Sequence, residues 1–373
     1  MKLEIKQNIL LEHLNYVIRG ISNKNIIPIL NCIKFELDEN GLYLMSTDNE
    51  IAIKTFIAQN DIETIEKCGT IVVSGRYIYD IVKKLPNEII TIEEVVDNKI
   101  FITTTNSSFN LNCNNPEEFP ILDLNNHKSP IGISKKVFKN IIKQVSFATS
   151  TQESRPVLTG INFKIDQNQL ECTGTDSYRL AKTSIEIETS VEEAINIIIP
   201  TKNLNELIKM FSDEDGDIEL HIFNNKVIFK FNTIIMLSRL INGTYPDTSK
   251  LIPTEFVLQM KVNMNQFYNS IDRASLLTNE ADKNTIKLES NNNTVIVSSN
   301  IPEIGYVEEK LTVFKNNNEE IKIAFSSKYM IDALRALECE EVELLFNGEV
   351  KPIIIRNPEN KGLIQLILPI RTY

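Results

Sequence analysis

The sequence predicts an α+β protein assembled from three copies of one unit of about 125 residues, an ordinary domain size. Three observations lead there. Pro28–Thr55 (PILNCIKFELDENGLYLMSTDNEIAIKT) aligns without a gap on Pro156–Thr183 (PVLTGINFKIDQNQLECTGTDSYRLAKT) at an offset of 128, so that Thr47-Asp48 falls on Thr175-Asp176. A second motif, Ser74–Leu85, recurs at Pro200–Phe211 and again at Ser326–Leu337, with an offset of 126 both times. Within each unit, moreover, the apolar spacing switches between a helical period and a period of two.

Taken in order, each unit opens with a helix: Asn8–Ser22, Lys135–Thr149 and Asn263–Thr278. Leu11, Leu14 and Ile18 share a face in the first, and Phe138, Ile141, Ile142 and Val145 share one in the second. The Ser74, Pro200 and Ser326 motifs are the second helices. Each has an N-cap-like Ser or Thr, then a cation (Arg76, Lys202, Lys328) and an acid one turn on (Asp80, Glu206, Asp332). Ile78, Ile81, Val82 and Leu85 give the first of these its apolar stripe.

Between the helices, alternation predicts hairpins. Ile33–Leu37 and Leu42–Leu44 turn at Asp38–Gly41, and Ile89–Val96 and Lys99–Thr105 turn around Asp97-Asn98. Ile218–Phe223 and Val227–Phe231 turn around Asn224-Asn225, and Ile353–Arg356 with Leu363–Pro369 close the third unit. Thr285–Asn300 keeps the strand–turn–strand pattern without the Thr-Asp pair. The polar, proline-bearing stretches Asp123–Pro130 and Pro246–Pro253 place the boundaries, giving domains 1–125, 126–250 and 251–373. Two short helices and many strands per unit imply sheets outside with helices gathered on one face.

Composition excludes several classes. Hydrophobic residues are 42% and charged residues 24%, a globular balance. The longest apolar runs, Ile195–Pro200 and Ile364–Ile370, fall far short of the ~20 residues of a membrane helix, so no membrane is expected as a partner. Met1-Lys-Leu-Glu-Ile-Lys-Gln lacks a signal peptide's apolar core, and a cytoplasmic location is expected. Cys32, Cys68, Cys113, Cys172 and Cys339 are scattered and odd in number, so neither a disulfide framework nor a zinc site is expected, and most read as buried strand thiols. His13, His127 and His221 are equally scattered and read as surface or satisfied structural residues; no metal or cofactor is expected.

The net charge is −11, which by itself argues against a nucleic-acid coat. Its distribution says more. The six helices sum to +8, half of it from Lys135, Lys136, Lys139 and Lys143, which leaves −19 on strands and loops. For a single helix, a lysine-rich solvated face explains this. Across six, a shared positive face and a negative exterior fit a protein that surrounds a duplex and holds phosphates without reading bases.

At this point the residues resemble a known family. Thr175-Asp-Ser-Tyr-Arg-Leu-Ala181 is similar to the Thr-Asp-Ser/Gly-His-Arg-Leu-Ala signature of bacterial sliding clamps, the beta subunit of DNA polymerase III. Pro28-Ile-Leu30, Arg273-Ala-Ser-Leu-Leu277 and Leu368-Pro-Ile-Arg371 resemble further family segments, in order along the whole chain. Tyr178 is a departure, standing where many members have His.

The resemblance implies the DNA-clamp fold, with helices lining the inner face and sheets outside. It further implies a head-to-tail homodimeric ring that encircles duplex DNA without sequence preference and tethers the replicative polymerase as its processivity factor. Phe109 and Leu111 of one chain would meet Leu276 and Leu277 of the other; read without the family, all four are ordinary core residues.

A peptide pocket is implied between domains two and three, where the polymerase, the clamp loader and other proteins with clamp-binding segments of the Gln-Leu-x-Leu-Phe kind insert. The matching residues are Leu158, Thr175, Ser177, Tyr178, Arg179 and Leu180, with Pro246, Leu251, Pro352, Leu366, Leu368, Pro369, Ile370 and Arg371. Without the family, Leu158, Leu180 and Leu366 read as core and Arg179 as a surface ion-pair residue. The implied DNA contacts are Lys24, Arg76, Gln152, Arg155, Lys202 and Lys250, with Lys135, Lys136, Lys139 and Lys143 adding to the field. Pro156 and Val157 stand where the family has aromatics after Arg155, a departure that puts base or sugar stacking there in question.

An enzyme is the other class weighed. There is no P-loop, G-x-G-x-x-G or H-E-x-x-H. Asp48 and Asp176 read as turn residues rather than catalytic acids, and Asp213-Glu-Asp-Gly-Asp217 has its glycine at the wrong position for a calcium loop. The expectation is a non-catalytic accessory subunit; the alternative is a multidomain protein-binding scaffold without DNA encirclement, which would share the repeat and the pocket but need no charge segregation.

Overall fold

The computed structural model describes residues 1–22, 26–95, 98–125, 128–211 and 216–371, without the side chain of Lys361. Among the described residues there are six α-helices: α1 (Gln7–Val17), α2 (Gly75–Lys84), α3 (Lys135–Ser146), α4 (Thr201–Ile208), α5 (Met264–Ser275) and α6 (Ser327–Arg335). All six anticipated helices are present, each shorter than its sequence pattern. α1, for instance, stops at Val17 and passes into a 3-10 turn, Ile18–Gly20.

The chain folds as two compact units, Met1–Lys136 with Lys202–Leu240, and Val137–Thr201 with Ile241–Tyr373. The middle repeat is thus shared between them. The reason is visible in the strand pairing, which runs through the junctions between repeats without interruption.

In the first unit one antiparallel sheet begins at Ile131–Ser134 and passes through Asp217–Ile222, Lys226–Phe231 and Ile234–Arg239 to Ile51–Ala58. It continues through Gly41–Thr47, Cys32–Leu37, Gly69–Ser74 and Ser108–Asn114 to Lys99–Thr103, Ile89–Val95, Lys2–Lys6 and Thr64–Lys67. The junction pairs Ile234–Arg239 with Ile51–Ala58, setting Leu237 opposite Ala52. In the second unit a sheet runs from Ile195–Pro200 through Gly160–Asp166, Gln169–Thr175 and Arg179–Glu186 to Asn360–Ile367. It ends with Ile353–Asn357, Glu341–Phe346, Leu258–Asn263 and Phe314–Lys315. Here the junction sets Leu180 opposite Leu366. A separate sheet holds Gly305–Thr312, Thr294–Ile301, Thr285–Asn291 and Lys322–Ser326 in that order.

The alternating residues form the cores. Phe35, Leu37, Leu42 and Leu44 are buried across the first hairpin, whose turn is closed by Asp38 Oδ1 accepting from the N–H groups of Asn40 (2.8 Å) and Gly41 (3.0 Å). Gly41 is required there: its φ is +150°, and a Cβ would come within 2.1 Å of the Ile57 carbonyl oxygen. α3 buries the anticipated Phe138, Ile141, Ile142 and Val145.

α1 corrects its anticipated stripe. It buries Leu10, Leu14 and Val17, while Leu11 and Ile18 are only half-buried. Both sets keep helical spacing, so packing alone chooses between them. The expected caps also differ. Ser74 and Ser326 occupy N-cap positions without a side-chain hydrogen bond, whereas Asn263 caps α5 by accepting from the Gln266 N–H. Of the cysteines, Cys32 and Cys172 are buried, Cys113 and Cys339 half-buried and Cys68 exposed.

Candidate peptide-binding site and nucleic-acid surface

The site is built on the repeated Thr-Asp turn. Thr175 ends a strand, and its hydroxyl donates to the Arg179 carbonyl (2.6 Å) while accepting from the Ser177 N–H (3.2 Å). Asp176 Oδ1 accepts from the N–H groups of Tyr178 (2.9 Å) and Arg179 (3.0 Å). Ser177 takes a φ of +77° between them. The first repeat makes the same turn: Thr47 to the Ile51 carbonyl (2.8 Å), Asn49 N–H to Thr47 (3.1 Å), and Asp48 Oδ1 accepting from the N–H groups of Glu50 (3.0 Å) and Ile51 (2.9 Å). Oδ1 of each carboxylate thus accepts from backbone N–H groups, the turn role read from the sequence.

This turn directs Tyr178 outward, 62% exposed, and Leu180 inward, fully buried. Leu180 packs with Leu345, Ile354 and its register partner Leu366, under half-buried Ile252, Phe256 and Ile364. Leu158 is buried in a separate cluster with Ile198 and Tyr245. Leu368 donates its N–H to the Tyr178 carbonyl (2.9 Å) and leaves its side chain 39% exposed. Leu251 and Pro246 are exposed, and Pro352 and Pro369 half-buried. An apolar floor with exposed Tyr178, Leu251 and Leu368 is suited to aliphatic and aromatic anchors.

Ile252, Phe256 and Ile354 were not anticipated; adjacency to Leu251 and the apolar run Ile353–Ile355 were the available signals. Tyr245, next to the anticipated Pro246, could also have been found, since Phe119-Pro120 precedes Tyr245-Pro246 at the repeat offset of 126.

Three anticipated pocket residues also make contacts within the chain. Arg179 is only 11% exposed at its side chain. Its guanidinium donates to Asp176 Oδ2 (3.0 Å) and Asp332 Oδ2 (2.6 Å), and it lies 4.5 Å from the Tyr329 ring and 5.5 Å from that of Phe147. It fastens the strand to α6, so the ion-pair reading holds but not the surface one. Ile370 and Arg371 lie beside the four-stranded sheet. The Ile370 N–H donates to the Ala324 carbonyl (2.7 Å), and both residues line a 670 Å³ cavity with Lys287, Glu289 and Tyr306.

The anticipated DNA-contacting cations are mostly open to solvent. Arg76 is 78% exposed, 3.9 Å from Asp80, and Lys202 is 74% exposed, 3.8 Å from Asp48. Gln152, Lys250, Lys136 and Lys143 are exposed and Lys139 half-buried. Arg155, also exposed, donates to the Ser177 hydroxyl at 3.4 Å. Lys24 lies outside the described residues, as do His127, Asp97 of the second hairpin turn and residues 213–215 of the acidic stretch.

Lys135 is a correction: it is 3% exposed and is not offered to a phosphate. Its N–H donates to the Gly216 carbonyl (2.8 Å), and a Cβ at Gly216 would lie 3.2 Å from Lys135 Cε, so the chain at Gly216 covers its stem. At the anticipated chain–chain surface, Leu276 is 79% and Phe109 40% exposed, with Leu111 and Leu277 half-buried, so none of the four is core.

Among the described residues no three of His, Cys, Asp and Glu are grouped to hold a metal. His13 Nδ1 is bonded to the Thr55 hydroxyl (2.7 Å), and buried His221 is bonded to the Lys128 carbonyl (2.7 Å). Burial raises the Cys113 thiol to about 11, the opposite of an activated nucleophile. Among the described residues no helix is long and apolar enough to cross a membrane.

Comparison with known proteins places the chain in a family. Family models for the N-terminal, central and C-terminal domains of the DNA polymerase III beta subunit match residues 1–123, 132–247 and 249–371. Beta sliding clamps of Staphylococcus epidermidis and Staphylococcus aureus are each 41% identical over 377 residues, covering 100% of both chains. The crystal structure of the DNA polymerase sliding clamp from Bacillus subtilis superposes with a TM-score of 0.96 at 38% identity, covering 100% of both chains. The beta chain from Streptococcus pneumoniae gives 0.95 at 32%, again over 100% of both. The chain belongs to the DNA polymerase III beta subunit family, the bacterial sliding clamps.

Proposed function

We propose that this chain is a DNA polymerase processivity factor: a head-to-tail homodimer that encircles duplex DNA and tethers the replicative polymerase, the clamp loader and other proteins through short peptides. It has no catalytic role of its own. The observation that carries this reading is the full-length relationship, 41% identity over 100% of both chains to proteins named as sliding clamps. The scaffold alternative loses ground for the same reason.

Three features of the chain support the parts of the proposal. Exposed Arg76, Lys202 and Lys143 supply phosphate-seeking charge without base readout. The apolar floor of Leu180 and Leu366 with exposed Tyr178, Leu251 and Leu368 supplies the peptide site. Exposed Leu276 and Phe109 supply apolar surface for a second copy. We take the domains as 1–125, 126–250 and 251–373, with the peptide site on the second unit.

The test is topological. The protein is loaded on nicked circular DNA by its clamp loader, the salt is raised to suppress phosphate contacts, and the circle is then cut. Retention on circles followed by loss on linearisation is the expected result. Loss from both forms at high salt would overturn encirclement.

A further inference from the structure

We propose that the first unit carries a second peptide-binding site, at the junction of Ile234–Arg239 with Ile51–Ala58, for a short segment with an aliphatic anchor beside a carboxylate side chain. This rests on the peptide-site reading above only for its template. The backbone of that template is repeated there. Leu237 faces Ala52 as Leu366 faces Leu180. The Arg239 N–H donates to the Glu50 carbonyl (2.9 Å) as the Leu368 N–H donates to that of Tyr178 (2.9 Å). Glu50 and Ala52 precede Tyr178 and Leu180 by the repeat offset of 128, and the Thr47-Asp48 turn is bonded like Thr175-Asp176. Phe119-Pro120 falls on Tyr245-Pro246, and Phe119 and Tyr245 are both buried.

The side chains on this template differ, and their differences define the ligand. Ala52 in place of Leu180 removes three carbons from the floor, and a cavity of 280 Å³ opens there, lined among others by Ala52, Leu237, Leu122 and Arg239. That is the low end of ligand-sized pockets, about 300 Å³, and suits one anchor with its neighbour rather than a long peptide. Ile121 stands at its edge, 99% exposed, as apolar surface with no covering.

Where the other site has the apolar Leu368, this one has Arg239, which is exposed and has no ion-pair partner among the described residues. The other cation in the lining, Lys226, is already held by Asp123 at 2.5 Å. Arg239 is therefore the group that selects a carboxylate, and a neutral segment of the first kind is disfavoured because it would leave the guanidinium unpaired.

Two fluorescein-labelled peptides, Gly-Asp-Leu-Asp-Leu and Gln-Leu-Gly-Leu-Phe, titrated by anisotropy against the full chain, test this. The acidic peptide is expected to bind the wild-type chain and the Leu368→Asp chain alike. Arg239→Glu should weaken it by about tenfold or more and Arg239→Lys by much less. The neutral peptide should lose affinity in Leu368→Asp and keep it in Arg239→Glu. Absence of acidic-peptide binding, indifference to Arg239→Glu, or displacement by the neutral peptide would overturn the second site. Failure of the neutral peptide alone would count against the first site and leave the second standing on its Arg239 dependence.

Discussion

Arg179 and Asp332 are joined at 2.6 Å across a sequence separation of 153 residues, by a guanidinium that also stacks 4.5 Å from Tyr329 and holds Asp176. The same arginine belongs to the motif that identifies the family, yet its work here is to fasten one repeat's strand to the next repeat's second helix. Removing either partner leaves a largely covered charge without its mate. Arg179→Ala and Asp332→Ala are each expected to destabilise the second unit by about 1–3 kcal/mol, discounted for the partial exposure of Asp332. Urea denaturation of the two single variants and the double variant measures it. Additive losses would mean that the pair is not coupled.

Truncation before Leu368 should weaken binding of a Gln-Leu-Gly-Leu-Phe peptide by about tenfold or more. The Asn360–Ile367 strand ends just before the cut, so the sheet survives, while the Tyr178 and Ala324 carbonyls lose the N–H donors of Leu368 and Ile370. Circular dichroism should be nearly unchanged. Undiminished peptide affinity would remove Leu368 from the site.

Charge reversal on α3 separates two kinds of lysine. Lys139→Glu with Lys143→Glu should keep the fold and flatten the dependence of DNA affinity on salt, by a slope of about 0.9 for each phosphate that is no longer neutralised. Lys135→Glu, at a 3% exposed position, should instead lower the denaturation midpoint. An unchanged salt slope in the first variant would place the phosphates elsewhere.

His13 gives the first unit an acid sensitivity. Burial lowers its imidazole below the ordinary value of 6.5, against the raising effect of Glu12 and Asp61. The unfolded chain then takes up the proton first as pH falls. The stability associated with neutral His13 is complete above about 6.5 and is lost as pH drops through the lower folded value. Denaturant midpoints measured from pH 7.5 to 5 should fall less steeply in His13→Gln, which at pH 7.5 loses about 1 kcal/mol with the Thr55 hydrogen bond. Parallel profiles for the two proteins would rule His13 out.

Gly41→Ala should cost more than about 1 kcal/mol, because the left-handed backbone and the Ile57 carbonyl 2.1 Å from the new Cβ both oppose it. A thermal scan decides it, and an unaltered Tm would show that the hairpin can shift.

The sequence by itself determined the repeat, the six helices, the hairpins and the Thr-Asp turns. These follow from local rules: apolar period, turn residues, and a carboxylate two or three residues before the N–H groups it accepts from. Tertiary structure alone decided which face of α1 is buried, because Leu10-Leu14-Val17 and Leu11-Leu14-Ile18 are equally helical. It also removed Lys135 from solvent, and it made Arg179, a surface ion-pair residue by sequence, a largely covered fastening between Asp176 and Asp332. Those outcomes depend on which surfaces meet across the junction strands, and a contact across 153 residues leaves no periodic trace in the chain that makes it. The same holds for the middle repeat, which the strand pairings of Leu237 with Ala52 and Leu180 with Leu366 divide between two units despite its continuity in sequence.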